Sequence, residues 1–240
     1  MTDDKNIQAE EKAKKIRAMF DEIVPQYDLL NHVMSAWQDV LWRKRTVSRL
    51  PKNPAKVLDV ATGTGDLAFE TVKKYPACQV VGVDFSEGML EVAKVKTRKR
   101  NLMDSISYQW ADAMDLPFED NEFDGAMIAF GLRNVTDRLL ALKEMARVVR
   151  PGGRVLVLEM TFPENIGMRK FFNWYLNYAI PTVGGLISGN SKAYKYLPES
   201  IQNFLRPKEL VELYREAGMV DLKAFPLSLG ITYLHEGTVK

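Results

Sequence analysis

The sequence has one cysteine, two histidines and almost no net charge, and each shortage removes a class of protein. Cys78 has no thiol partner within the chain, and with only His32 and His235 beside it no zinc-type cluster can be assembled, so the compartment reads as reducing. The 33 basic and 31 acidic residues nearly cancel, which leaves no global field for a nucleic acid, and none is expected as a partner. No apolar run approaches the ~18 residues of a membrane-spanning helix, and the opening MTDDKNIQAEEKAKK is charged where a secretory signal is apolar. These shortages predict a cytoplasmic protein of small-molecule chemistry, with peripheral contact at the inner face of a membrane still allowed.

What is present suits one α/β domain over residues 1–240, since 46% of the 240 residues are hydrophobic and can fill one large core. Residues 1–50 read as an N-terminal helical extension, with Ile16, Met19, Phe20 and Ile23 at helical spacing and a second apolar helix around Val33 to Leu41. From Lys56 short apolar runs alternate with amphipathic stretches: VLDVA, VVGVDF, ISYQWAD, DGAMIAF and RVLVLEM as strands, with helices between. Arg150-Pro151-Gly152-Gly153 is read as the stop after the helix RLLALKEMARVV. Residues 161–204 break the alternation and are rich in aromatics, as an insertion over a site would be. A helix near Pro207 to Ala217 and strands VDLKAFPL and GITYLHEG complete a seven-stranded, mostly parallel, Rossmann-like sheet with one antiparallel terminal strand.

The first strand runs through Asp59, Ala61, Gly63, Thr64 and Gly65 directly into a helix, a turn that lets the backbone approach a nucleotide-like ligand beyond the strand's carboxyl end. Asp84 and Phe85 close the second strand, 21 residues after Gly63, where a carboxylate can accept from both ribose hydroxyls. The glycine spacing alone also fits a nicotinamide dinucleotide. Asp59 would repel a pyrophosphate but suits an ammonium, and Asp112-Ala113 after the third strand can accept from an adenine amino group. With Asp115-Leu116-Pro117-Phe118 ahead of Phe123-Asp124, these residues favour S-adenosyl-L-methionine and a class I methyltransferase; turn-forming or capping carboxylates are the plainer reading of Asp59 and Asp112.

Three further segments carry a closer resemblance: Tyr27-Asp-Leu-Leu-Asn31 with Ser35 and Leu41-Trp42-Arg43; Phe130-Gly-Leu-Arg133-Asn134-Val-Thr-Asp137; and Tyr194-Lys-Tyr196-Leu-Pro198-Glu-Ser-Ile201. Through them the chain resembles, over nearly its whole length, the ubiquinone/menaquinone biosynthesis C-methyltransferases. The resemblance implies methyl transfer from S-adenosyl-L-methionine to a ring carbon of a polyprenylated, lipid-soluble quinol such as demethylmenaquinol. Two positions depart from the pattern. Trp37 and Asp39 stand where the family often has Gly and His, so that histidine's proton-handling role does not carry over, and Ala129 replaces a serine near the cofactor, leaving only its backbone to serve.

A quinol ring carbon becomes nucleophilic when the neighbouring hydroxyl loses its proton, so the site needs a proton acceptor and phenolate-stabilising groups. Arg133, Asn134 and Tyr27 are the catalytic candidates. Arg133 is too weak a base and is assigned to the phenolate or to a water, Asn134 to a quinol oxygen, and Tyr27 to positioning. A plainer role for Arg133 is a salt bridge to the following helix. A bound water, Asp39 and His32 are all admissible as proton acceptor. No metal is required. Phe171, Trp174, Tyr175 and Tyr178 share a helical face after Arg169 and Lys170, which would cover a greasy substrate or pack on the sheet, and Val183 to Gly189 would form a pliable lid. The run Lys94 to Arg100 reads as a solvated helix end. A homodimer is allowed. Another hydrophobic acceptor, a non-catalytic cofactor-binding subunit and a nicotinamide enzyme are the competing readings.

Overall fold

The computed structural model describes residues 27–180, 182 and 191–240. Helices α1 (Tyr27–Met34) and α2 (Gln38–Val47) precede the alternating unit β1 (Lys56–Val60), α3 (Asp66–Lys74), β2 (Gln79–Asp84), α4 (Glu87–Lys99), β3 (Ile106–Trp110) and β4 (Phe123–Ala129). A 3-10 turn (Leu132–Asn134) leads into α5 (Arg138–Val148) and β5 (Val149–Met160). Then follow α6 (Ile166–Trp174), a π turn (Tyr175–Ala179), α7 (Ser191–Gln202), α8 (Pro207–Glu216), β6 (Val220–Leu227) and β7 (Thr232–Thr238).

The seven strands lie in the order β3-β2-β1-β4-β5-β7-β6, with β7 antiparallel to both neighbours and the other neighbouring pairs parallel. Strand periodicity distributes the core over both faces. On one, Leu58, Val60, Ile128, Val155 and Val157 meet Leu142 and Met145 of α5 and Leu210 and Tyr214 of α8. On the other, Val57, Met127, Leu156 and Leu158 meet Trp42 and Val47 of α2 and Leu67 and Val72 of α3. Burial of each such side chain contributes roughly 1.5–3 kcal/mol, which explains why the central stretches of β1, β4 and β5 read as apolar runs interrupted only at a few positions. A third cluster, Phe172, Leu176, Ile180 and Ile201, packs against Met34 and Met160 and so joins the late insertion to α1 and β5.

The helix beyond β1 starts sharply because Gly65 holds φ +90° at its N-cap, where a Cβ would lie 2.5 Å from the Tyr108 hydroxyl. Helices α4 and α5 are capped by Ser86 and Asp137, whose side chains accept from the amides of Met89 and Leu140.

Four sequence expectations are corrected. The helix expected around Val33 to Leu41 is broken by an elbow at Ala36 and Trp37, both at positive φ, and α2 runs instead over Gln38–Val47, where Trp42 and Val47 turn to the core. The strand begins before the Pro-Gly-Gly: Val149 already pairs with Phe123, and Gly152 and Gly153 exchange backbone bonds with Val239. The aromatic stripe is not a packed face. Phe172, Leu176 and Ile180 go inside, one position on from the stripe, while Phe171, Trp174 and Tyr178 are 55%, 54% and 65% exposed. Lys96 leaves the solvated helix end and turns inward to Asp28, Thr64 and Asp66. The expected helix through Ile16 and Ile23 and the segment Val183 to Gly189 lie outside the described residues.

Candidate active site

The strand order runs outward from β1 toward β3 on one side and from β4 on the other, and this switch point opens a crevice beyond the carboxyl ends of β1 and β4. Two cavities share it, with Phe130, at φ +59°, forming a wall of each.

The first cavity is lined by the loops after β1, β2, β3 and β4 and includes seven of the expected cofactor residues: Ala61, Gly63, Asp84, Phe85, Asp112, Ala113 and Ala129. Gly63 sits at φ +56°, and a Cβ there would meet no protein atom within 4 Å, so it would project into open space. Asp84 is fixed by the amides of Gly63 and Ser86, both at 2.9 Å, and Asp112 by that of Met114 at 2.9 Å. Ser86, Met89 and Met114 also line the cavity and were not singled out from sequence; only the position of Ser86 as a helix cap could have pointed to it.

Three expected residues are elsewhere. Gly65 caps α3, and the Thr64 hydroxyl turns away to Asp28 and Lys96, binding the loop to α1 and α4. Asp59 is buried beneath the loop, accepting from the Thr62 hydroxyl at 2.6 Å. Burial, reinforced by the nearby charge of Asp84 and only partly offset by Thr62, pushes its carboxyl up to about 7. A carboxyl whose folded pKa exceeds its unfolded value contributes stability below about pH 4 that is lost as pH rises to about 7. Asp59→Asn keeps an acceptor for Thr62 without the charge. Its melting temperature relative to wild type is therefore expected to rise across that window and level off above pH 7, reflecting up to about 4 kcal/mol. Thermal melts from pH 4 to 8 in the absence of ligand check this; a constant offset would show that Asp59 does not titrate there.

The second cavity, about 270 Å³, is walled by Met34, Trp42, Met160, Phe172, Tyr175 and Ile231, among others. Its polar groups are concentrated at two places. At the α1–α2 elbow, Asp39 accepts from Ser35 Oγ at 2.6 Å, from His32 Nδ1 at 2.7 Å and from Arg43. Burial alone would raise the Asp39 carboxyl, but the Ser35 bond, Arg43 and His32 outweigh it and hold it below the usual carboxylate range. His32 thus stands behind this wall, its imidazole meeting it through Asp39.

The other place is Arg133. Its Nη1 donates to Glu159 Oε1 and to the Phe130 carbonyl, both at 2.6 Å, while its buried Nε has no protein partner. The salt bridge runs to strand β5 and not to the helix that follows. Asn134 belongs to the first cavity, and its Oδ1 accepts from the Tyr196 hydroxyl of α7 at 2.8 Å. Tyr27 opens α1, but its side chain lies outside the described residues. Sequence reasoning missed Glu159, Arg43 and Tyr196 as partners. Arg43 was findable, since it stands four residues after Asp39 on one helical face.

The first cavity's lining holds two carboxylates and no lysine or arginine, which opposes a dinucleotide pyrophosphate and suits a cationic sulfonium nucleoside. Fold and site together define a class I S-adenosylmethionine-dependent methyltransferase. The chain belongs to the ubiE/COQ5 methyltransferase family, whose model matches residues 8–239. A demethylmenaquinone methyltransferase of Thermus thermophilus is 43% identical over 220 residues, covering 91% of this chain and 99% of the other. A ubiquinone/menaquinone biosynthesis C-methyltransferase of Geotalea daltonii is 41% identical over 229 residues, covering 95% and 97%. Among solved structures, an S-adenosylmethionine-dependent methyltransferase of Thermotoga maritima, described as a possible histamine N-methyltransferase, superposes with a TM-score of 0.66 at 22% identity, covering 93% of this chain and 99% of the other. The last likeness is one of fold.

Proposed function

We propose that this chain methylates a ring carbon of a polyprenylated quinol, demethylmenaquinol in the first instance. The observation that carries the reading is the second cavity, apolar enough for a fused ring and prenyl chain and adjoining the cofactor cavity at Phe130. The relatives' substrates point the same way.

In this reading Asp84 holds the ribose hydroxyls, Asp112 the adenine amino group, and the backbones of Ala61, Gly63, Phe85, Ala113 and Ala129 the remaining surface, with Asp59 below the loop attracting the ammonium. Thr64 and Gly65 act indirectly, by fixing the loop. When bound, S-adenosylmethionine supplies an electrophilic methyl. Arg133, which lines this cavity, offers a guanidinium N–H to the quinol oxygen as negative charge develops there, worth most in a water-poor cavity. Asn134, with its carbonyl taken by Tyr196, can donate through its amide. Within one domain, the described parts of the N-terminal extension (α1 and α2) and of the insertion (α6 and α7) cover the acceptor.

No helix among the described residues is long and apolar enough to cross a membrane. We infer a peripheral contact instead, through Phe171, Trp174 and Tyr178 with Lys170 beside them, on the segment that walls the acceptor cavity. The protein is expected to transfer label from S-adenosylmethionine to reduced demethylated naphthoquinone in anionic vesicles. Trp174→Ala should lower vesicle co-sedimentation several-fold without loss of cofactor binding. Absence of labelled quinone across a panel of reduced acceptors would sink the reading. A dimer in light scattering that ignores vesicles would show that this face pairs two copies.

A further inference from the structure

The donors and acceptors around the second cavity are not symmetrically disposed. Ser35 has one hydroxyl proton, and the 2.6 Å contact to Asp39 Oδ1 claims it over the His32 carbonyl at 3.2 Å. The Asp39 backbone amide takes one Ser35 lone pair at 3.4 Å, so what the hydroxyl can still present to the cavity is the other, reinforced by a carboxylate that can only accept. Turning the hydroxyl round would break a charge-assisted bond on a buried carboxylate. Three of the nearby donors are committed: the Tyr175 hydroxyl to the Met34 carbonyl at 2.6 Å, the Trp42 indole to Ser228 at 2.9 Å and Arg43 Nη1 to Asp39. At Arg133 the situation is reversed, because the guanidinium that lines the cavity carries donors and no acceptor. The two places flank Phe130, with Arg43 over its ring and Arg133 on its carbonyl.

We propose that Ser35, held by Asp39, makes the cavity selective for the reduced acceptor: an accepting pole at the α1–α2 elbow and a donating pole at Arg133 match a quinol or its monoanion and mismatch the quinone. A quinol gives its hydroxyl proton to Ser35 and receives the Arg133 bond on its other oxygen. A quinone has two carbonyls and no proton to give, so one of them faces lone pairs on Ser35 and Asp39. Ser35 is a specificity-determining residue here, and Asp39 a positioning residue acting through it. The inference rests on the quinol reading above and assigns its redox selectivity to two side chains.

The test is anaerobic titration calorimetry of the protein saturated with S-adenosylhomocysteine, using a short-tailed demethylated naphthoquinone in its oxidised and its dithionite-reduced form. Wild type is expected to prefer the reduced form by about tenfold, the order of one buried hydrogen bond gained or left unmade. Ser35→Ala should weaken the reduced form toward parity, and Ser35→Thr should restore the preference. Asp39→Asn, which frees the Ser35 proton and adds amide donors, should narrow the gap from the other side by strengthening the oxidised form. Equal affinities in wild type overturn the proposal, as does a wild-type preference left intact in whichever of Ser35→Ala and Asp39→Asn retains a wild-type melt and homocysteine-nucleoside affinity. If neither redox form binds and no reduced quinone is methylated, the quinol assignment itself has failed.

Discussion

Replacing Arg133 by alanine is expected to lower methyl transfer by roughly 10²–10³-fold, the usual cost of removing one preorganised donor from a developing anion. The substitution should also destabilise the fold, because Glu159 is fully buried and takes its charge partner from Arg133. A buried carboxylate left alone costs about 3–5 kcal/mol. The two effects separate in the double variant Arg133→Ala/Glu159→Gln, whose neutral side chain removes the uncompensated charge and keeps one carbonyl acceptor for the backbone amides of residues 133 and 160, which now bond to separate carboxylate oxygens. That variant should recover most of the melting temperature and none of the rate. Single-turnover transfer of labelled methyl, run beside thermal melts, decides it; a double variant with restored rate would mean that Arg133 only anchors β5. Cofactor affinity should change little, since Arg133 lines the acceptor cavity alone, whereas Asn134→Ala is expected to weaken cofactor binding as well.

Asp84→Ala is expected to weaken S-adenosylhomocysteine binding by two to three orders of magnitude. Each hydrogen bond from a ribose hydroxyl to a carboxylate is worth roughly 1.5–3 kcal/mol, and two are assigned to this side chain. The loss is compounded locally, because the amides of Gly63 and Ser86 both lose their acceptor and the glycine turn loses its tether to β2. Asp112→Ala, with a single contact to the purine, should cost about tenfold. Calorimetric titration of both variants checks the ranking. Binding of the Asp84 variant within a few-fold of wild type would place the adenosyl group elsewhere.

The sheet was legible because its strands are buried on both faces and its first crossover carries turn chemistry that few other folds need. Asp59 to Asp66 and Asp84 could be positioned at strand ends from periodicity alone. The acceptor side was less legible for a physical reason: its polar groups are chosen by contacts between distant segments. Glu159 reads as one acid at the end of an apolar strand, and nothing local announces that it holds Arg133. The elbow at Ala36 and Trp37 was hidden because neither residue favours the left-handed region, and the hydrogen bonds of Ser35 and His32 to Asp39 are what compensate it. The face that α6 and the π turn bury runs through Phe172, Leu176 and Ile180, one position on from the aromatic stripe, and aromatic spacing alone does not reveal which neighbouring face turns inward.

The position of β7 bears on how such a chain comes off the ribosome. Strand β5, with Val155, Leu156, Val157 and Leu158 fully buried, meets β4 early, but its other edge is closed only by residues more than seventy positions further on. During synthesis, every intermediate length between them displays an unpaired apolar margin at the middle of the finished sheet, the kind of surface that chaperones bind and aggregates recruit. Strand β6, which emerges first, has to wait at the rim for its own neighbour, so the two outermost positions are filled in one late, cooperative step.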